Sequence, residues 1–177
     1  MIIIPKFGKW TSVWGIVTIL LIIETVIFIG IFFFYRHLLI KNLDYLGWIL
    51  LLLSIYFALA PVYVFRKKAD VPKGKSYIHT KIIVDTGIFS VVRHPQYLAM
   101  ILVAIGLILI VQHWLILVLS IVTMTLTYVG IEKQDKILVK KFKEDYKEYM
   151  QKVPRINFFL GVIKILKRRN ISFSKGE

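Results

Sequence analysis

Cysteine is missing altogether from the 177 residues. That excludes disulfides, thiolate nucleophiles and Cys-ligated metal. Acids are scarce, ten against 24 Lys and Arg, which leaves a formal net charge of +14. Proline occurs only five times, so few positions force a long element to stop. Charge of either sign disappears over the 37 residues from Pro95 to Ile131. A soluble domain of this size is about half apolar or less, whereas this chain is 58% hydrophobic. Uncharged runs near 20 residues are what roughly 30 Å of hydrocarbon requires. One integral membrane domain is therefore expected. The basic residues flank the apolar runs and do not interleave with aromatics on a polar face. This points to anionic lipid headgroups and a positive-inside topology, not to nucleic acid.

What is present sorts into five parts. Residues 1–65 hold two expected spans, about Trp10 to Tyr35 and Tyr45 to Phe65, with Glu24 the one charge inside the first. Pro61 is expected to kink the second span or sit in its last turn. Residues 66–94 form a polar loop with seven Lys and Arg against two Asp. Residues 95–131 are too long for one span, and Gln112-His113 divides them into two short helices, about 96–111 and 114–131. Pro95 suits the first turn of the earlier one, where its missing N–H costs nothing. Residues 132–166 are C-terminal helices. In them Leu138, Phe142, Tyr146, Tyr149 and Val153 recur at helical spacing, opposite Lys133, Lys136, Lys140, Lys143 and Lys147. Such an amphipathic helix should lie on the membrane or on the protein's cytosolic surface. Ile156 to Leu166 is apolar but too short to span, and 167–177 is a basic tail. Four spans put the N-terminus, the 66–94 loop and the C-terminus on the Lys/Arg-rich side, which is expected to be cytosolic in a cell-membrane protein.

Two polar groups flank the short hairpin. Arg93 and His94 precede its first helix; Glu132 and Asp135 follow its second and share a helix face at i, i+3. If the two helices are antiparallel neighbours, both groups end at one mouth, the arrangement of a small-ligand site. The bland readings stand beside this one. Arg at a helix end also anchors a membrane protein, and a charged helix after a span is also simply solvated. Glu24 is costly in mid-span, and a functional and a structural role weigh equally. His37 and His113 fall at outer turns and read as interfacial. Trp10, Trp14, Trp48 and Trp114 read as an interfacial belt, and Gly106 and Gly130 as points of close helix packing. No metal-ligand spacing occurs.

The run Arg93-His94-Pro95-Gln96-Tyr97, with Gly87 upstream, resembles the Arg-His-Pro-x-Tyr signature of the isoprenylcysteine carboxyl methyltransferases and their phospholipid methyltransferase relatives. Glu132-Lys133-Gln134-Asp135, Leu138, Phe142, Tyr146, Tyr149 and Val153-Pro154-Arg155 resemble that family's second motif. The likeness covers roughly residues 80–160. It departs at Ala99 and Lys143, where the family has Gly, and its Glu-Glu pair falls on Gln134-Asp135.

The resemblance implies an all-α membrane protein with about four spans, and S-adenosylmethionine as cofactor, leaving as S-adenosylhomocysteine. It implies His94, Pro95, Tyr97, Leu98, Glu132, Asp135 and Tyr146 as cofactor-binding, and Arg93 and Asp135 as catalytic. Between the acids, Asp135 is favoured, with Glu132 in support. His94 and the first-turn amides after Pro95 would face the cofactor carboxylate. The implied partners are the lipid bilayer and a lipidic or hydrophobic acceptor: a prenylcysteine carboxylate, an amine headgroup or a similar nucleophile. Direct displacement at a sulfonium needs alignment more than acid–base groups, so no metal is expected. The competing class is a non-enzymatic four-helix protein, a small transporter or assembly factor, with Glu24 as its coupling residue.

Overall fold

The computed structural model describes residues 10–34, 39–40, 42–68 and 82–174. Lys6, Lys9, Arg36, His37, Lys41, His79 and the charged stretch 69–81 lie outside them, as do the side chains of Trp10 and Trp14. Among the described residues there is no strand. The elements are α1 (Trp10–Phe34), α2 (Leu43–Lys68), a 3₁₀ turn (Gly87–Ser90), α3 (Pro95–Val111), α4 (Trp114–Lys152) and α5 (Phe158–Ser174). Three of these helices contain segments long and apolar enough to cross a membrane: Gly15–Phe34, Leu43–Phe65 and the helix Trp114–Lys152. The apolar α3 is shorter, 17 residues. At 1.5 Å per residue it spans about 26 Å, just under a hydrocarbon core of about 30 Å.

The chain divides into two compact units. The first comprises residues 1–56 and 97–135, the second 57–96 and 136–177. In the first unit α3 and α4 are antiparallel neighbours. Ser120 on α4 reaches the Ala104 carbonyl on α3 at 3.3 Å, and a Cβ at Gly130 would stand 3.1 Å from the Tyr97 ring. Val111 and Ile116 at the hairpin turn join Phe28, Ile31, Leu107 and Ile110 in one apolar cluster. The turn is held by side chains. Gln112 takes a positive φ of 52°; its Nε2 donates to the Ile40 carbonyl and its Oε1 accepts from the Ile40 amide. His113 Nδ1 accepts from the Leu115 amide at 3.2 Å, an N-terminal cap for α4. Helix α2 meets α3 where neither has a side chain: a Cβ on Gly47 would lie 2.8 Å from the Gly106 carbonyl oxygen. The expected packing role of Gly106 is this one. Trp48 and Trp114 are 45% and 68% exposed.

Glu24 is fully buried in this unit. Ser120 Oγ donates to one of its carboxyl oxygens, and Thr123 Oγ1 to the other at 3.2 Å. A polar group buried away from water needs such partners, and here they tie α1 to α4.

In the second unit Tyr146, Tyr149 and Val153 are buried together, with Ile83, Leu138, Val139, Phe142 and Met150 packed against them. Lys133, Lys136, Lys140, Lys143 and Lys147 are exposed. The apolar face read from the spacing therefore lies inside the protein.

Helix boundaries differ from the sequence reading, and α5 runs on from Phe158 through the basic tail to Ser174. Pro61 lies inside α2, not in its last turn, and the helix runs on to Lys68; Pro61 is buried. Helix α4 does not stop at Ile131 but continues through the charged residues. Charge marks a change of surroundings, whereas a helix backbone stops at Pro, Gly or a cap, and none follows Gly130 until Pro154. The interruption comes instead at Lys143, with φ 51° and ψ −125°. There the chain turns, so that Leu138 and Phe142 on one side meet Tyr149 and Val153 on the other.

Candidate active site

Pro95 is the first residue of α3, as its locked φ and absent N–H favour. Just before it, the backbone of the Arg-His pair is pinned from the C-terminal side of the sequence. The Arg93 amide donates to the Pro154 carbonyl and the His94 amide to the Arg155 carbonyl, both at 3.0 Å. Upstream, Tyr149 Oη donates to the Phe89 carbonyl at 2.6 Å. Gly161 of α5 closes the brace: a Cβ there would fall 2.0 Å from the Val91 carbonyl oxygen. All of this lies in the second unit. The Val-Pro-Arg segment of the second motif thus acts on the first motif through backbone hydrogen bonds, and Tyr149 holds the chain just upstream through its hydroxyl. Arg155 meets His94 by its carbonyl, a contact made by the backbone and so invisible to residue type.

The His94 amide is occupied, so toward an anion His94 donates only from its imidazole. First-turn amides have no acceptor within their own helix; in α3 these belong to Gln96 and Tyr97, because Pro95 has none. Arg93 and His94 are 8% and 3% exposed. A buried guanidinium is retained only where it is hydrogen-bonded or paired.

In the first unit Tyr97 is 4% exposed, its ring lying on Gly130. That contact joins the start of α3 to the turn of α4 just before Glu132. Glu132 and Leu98 are half-buried, and Asp135 is 3% exposed. Beside Asp135, the Oε1 atom of Gln134 is buried with no hydrogen-bond partner. Natural proteins rarely leave such an acceptor unsatisfied. The remaining expected site residue, Tyr146, is in the second unit's apolar cluster, its ring 5.7 Å from that of Tyr149. Among the described residues no group of three His, Asp or Glu side chains is placed to hold a metal ion.

Sequence reasoning assigned no role to Gly161 or Gln134. Gly161 carries no local signal, since its partner is a backbone oxygen 70 positions away. Gln134 was visible as the residue standing where the family's first acid falls.

A profile of the phospholipid methyltransferase family matches residues 43–145. That is more than half of the chain and takes in α2, the Arg-His-Pro-Gln-Tyr run, the hairpin and the acids of α4. The chain belongs to the phospholipid methyltransferase family. It is accordingly a membrane protein of methyltransferase type. Comparison with curated proteins and with solved structures finds no match. The matched region ends before Tyr146, so the Tyr149 and Val-Pro-Arg brace lies beyond it.

Proposed function

We propose that this family member transfers a methyl group from S-adenosylmethionine to a lipidic acceptor dissolved in the bilayer. The observation that carries the reading is the family match across the Arg-His-Pro-Gln-Tyr run and the acids of α4. The chemistry of the side chains supports the cofactor. It offers a carboxylate, an ammonium, ribose hydroxyls and an adenine, and it supplies a methyl group activated on a sulfonium. The imidazole of His94 and the first-turn amides that follow Pro95 suit the carboxylate, because a helix N-terminus favours anions. Asp135, with Glu132 in support, accepts from the ammonium or the ribose hydroxyls. The unsatisfied Gln134 Oε1 is a further acceptor waiting for a donor. Tyr97, Leu98 and Tyr146 supply apolar contact to the cofactor. Arg93 orients an anionic group or an acid of the site.

The residues' task is to align nucleophile, methyl and sulfur in a dry site, which accounts for most of the rate of such a displacement. A carboxylate acceptor needs no base, whereas an amine acceptor must arrive neutral. The family makes a phospholipid headgroup amine the first acceptor to try, with a prenylcysteine carboxylate second. The Lys/Arg-rich side of the four-span arrangement is assigned to the cytosol, so cofactor enters there and acceptor laterally. Glu24, which a transporter would need as a mobile coupling group, is enclosed and held by two hydroxyls; that is the arrangement of a packing link.

The test is titration calorimetry of the detergent-purified protein with S-adenosylhomocysteine. Binding is expected, weakened at least about tenfold in His94→Ala and Asp135→Asn, the loss of one charged or strongly directed hydrogen bond. Folded wild-type protein that takes up no S-adenosylhomocysteine removes the proposal. Radiolabelled S-adenosylmethionine incubated with lipid extracts then identifies the acceptor by the lipid that becomes labelled.

A further inference from the structure

Helix α5 has a face that nothing in the described protein covers. Phe159, Ile163 and Leu166 are 80%, 60% and 55% exposed. At 100° per residue they fall within an arc of roughly 60°, flanked by Leu160 and by the exposed Lys167. This face cannot turn inward, because the opposite side of α5 is seated. Gly161 lies against the Val91 carbonyl with no room for even a methyl group. Phe158 packs edge-on against Phe57, ring centres 5.5 Å apart. Lys164 donates to the Gln151 carbonyl at 3.0 Å. The apolar face is therefore presented outward by construction.

The surrounding charge says what it meets. Between Glu148 and Glu177 the sequence holds seven Lys and Arg and no acid. Phe and Leu on one side of a helix with Lys and Arg around them is the composition of helices that lie in the plane of a bilayer interface. Anionic headgroups add about 1 kcal/mol per basic residue near the surface.

We propose that α5 is a docking surface for the anionic face of a phospholipid bilayer. Phe159, Ile163 and Leu166 enter the headgroup–acyl boundary, and the exposed Lys167 engages phosphates within this Lys/Arg-rich stretch of sequence. This inference is independent of the methyltransferase reading. Through Gly161 and Val91, however, the same helix abuts the backbone leading into Arg93 and His94, so its seating on lipid steadies that segment.

The absence of Cys makes the test direct. Ile163→Cys, labelled with an environment-sensitive fluorophore, is placed in nanodiscs of phosphatidylcholine alone or of phosphatidylcholine with phosphatidylglycerol. Nitroxide-bearing lipid serves as quencher. An Ile22→Cys label on the exposed face of α1 (59% exposed) reports ordinary bilayer contact and should quench alike in both. The Ile163 label should shift to the blue and quench more strongly with phosphatidylglycerol. In the variant carrying Lys167→Gln, Arg168→Gln and Arg169→Gln the docked-to-undocked ratio should fall about fivefold per charge removed. A label that stays in water in both discs overturns the proposal. So does equal quenching in both, which would mean apolar contact without charge selection. Shielding that depends on two copies sharing a disc assigns the face to a second copy of the chain and overturns it as well.

Discussion

Lys143 holds φ 51° and ψ −125°, the backbone of the first central residue of a type II′ turn, a place for glycine. A side chain with a Cβ costs of order 1–3 kcal/mol in such a sparsely populated region. The strain persists because Leu138, Phe142, Tyr149 and Val153 pack across the bend, which over-determines the turn. Lys143→Gly should relieve it. Glycine carries its own cost of roughly 0.5–1 kcal/mol in lost unfolded-chain freedom, so the net gain is about 1 kcal/mol. For a chain of this length that raises the melting temperature by roughly 2–4 °C. The Lys143 side chain is exposed, so little packing is given up. Lys143→Ala is the control: it removes the same charge and keeps the Cβ, and should leave stability near wild type. Thermal unfolding in one detergent, followed by circular dichroism, compares the three proteins. If Gly and Ala variants melt together, the bend carries no strain and the reasoning fails.

Other perturbations read other parts of the same scheme. Tyr149→Phe removes the hydroxyl that donates to the Phe89 carbonyl; a loss of about 1–2 kcal/mol is expected, with weaker S-adenosylhomocysteine binding by calorimetry if the brace positions the Arg-His pair. Gly161→Ala drives a methyl group into the Val91 carbonyl; it should cost about 1–3 kcal/mol and lower cofactor affinity more than a stability-matched substitution elsewhere. Glu24→Gln offers an amide donor to Ser120 and an acceptor to Thr123 and should melt near wild type. Glu24→Ala leaves both hydroxyls beside a cavity and should cost about 2–5 kcal/mol; equal melting of those two variants would show that the hydrogen bonds contribute nothing.

The membrane class, the start of α3 at Pro95, the two-residue hairpin turn at Gln112-His113 and the two polar motifs can all be read from the order of residues, because hydrophobicity and special backbone chemistry are local properties. The second motif also showed Lys143 in the family's glycine position, but not why glycine belongs there. Packing, in contrast, is what bends α4 at Lys143, where Leu138 and Phe142 meet Tyr149 and Val153 across the turn. It also decided that Glu24 meets Ser120 and Thr123, and that Pro154, Arg155, Tyr149 and Gly161 brace the Arg-His backbone. Those contacts join residues some 60 to 100 positions apart, through hydroxyls, carbonyls and missing side chains. Packing brings such groups together, and spacing along the chain carries no trace of them.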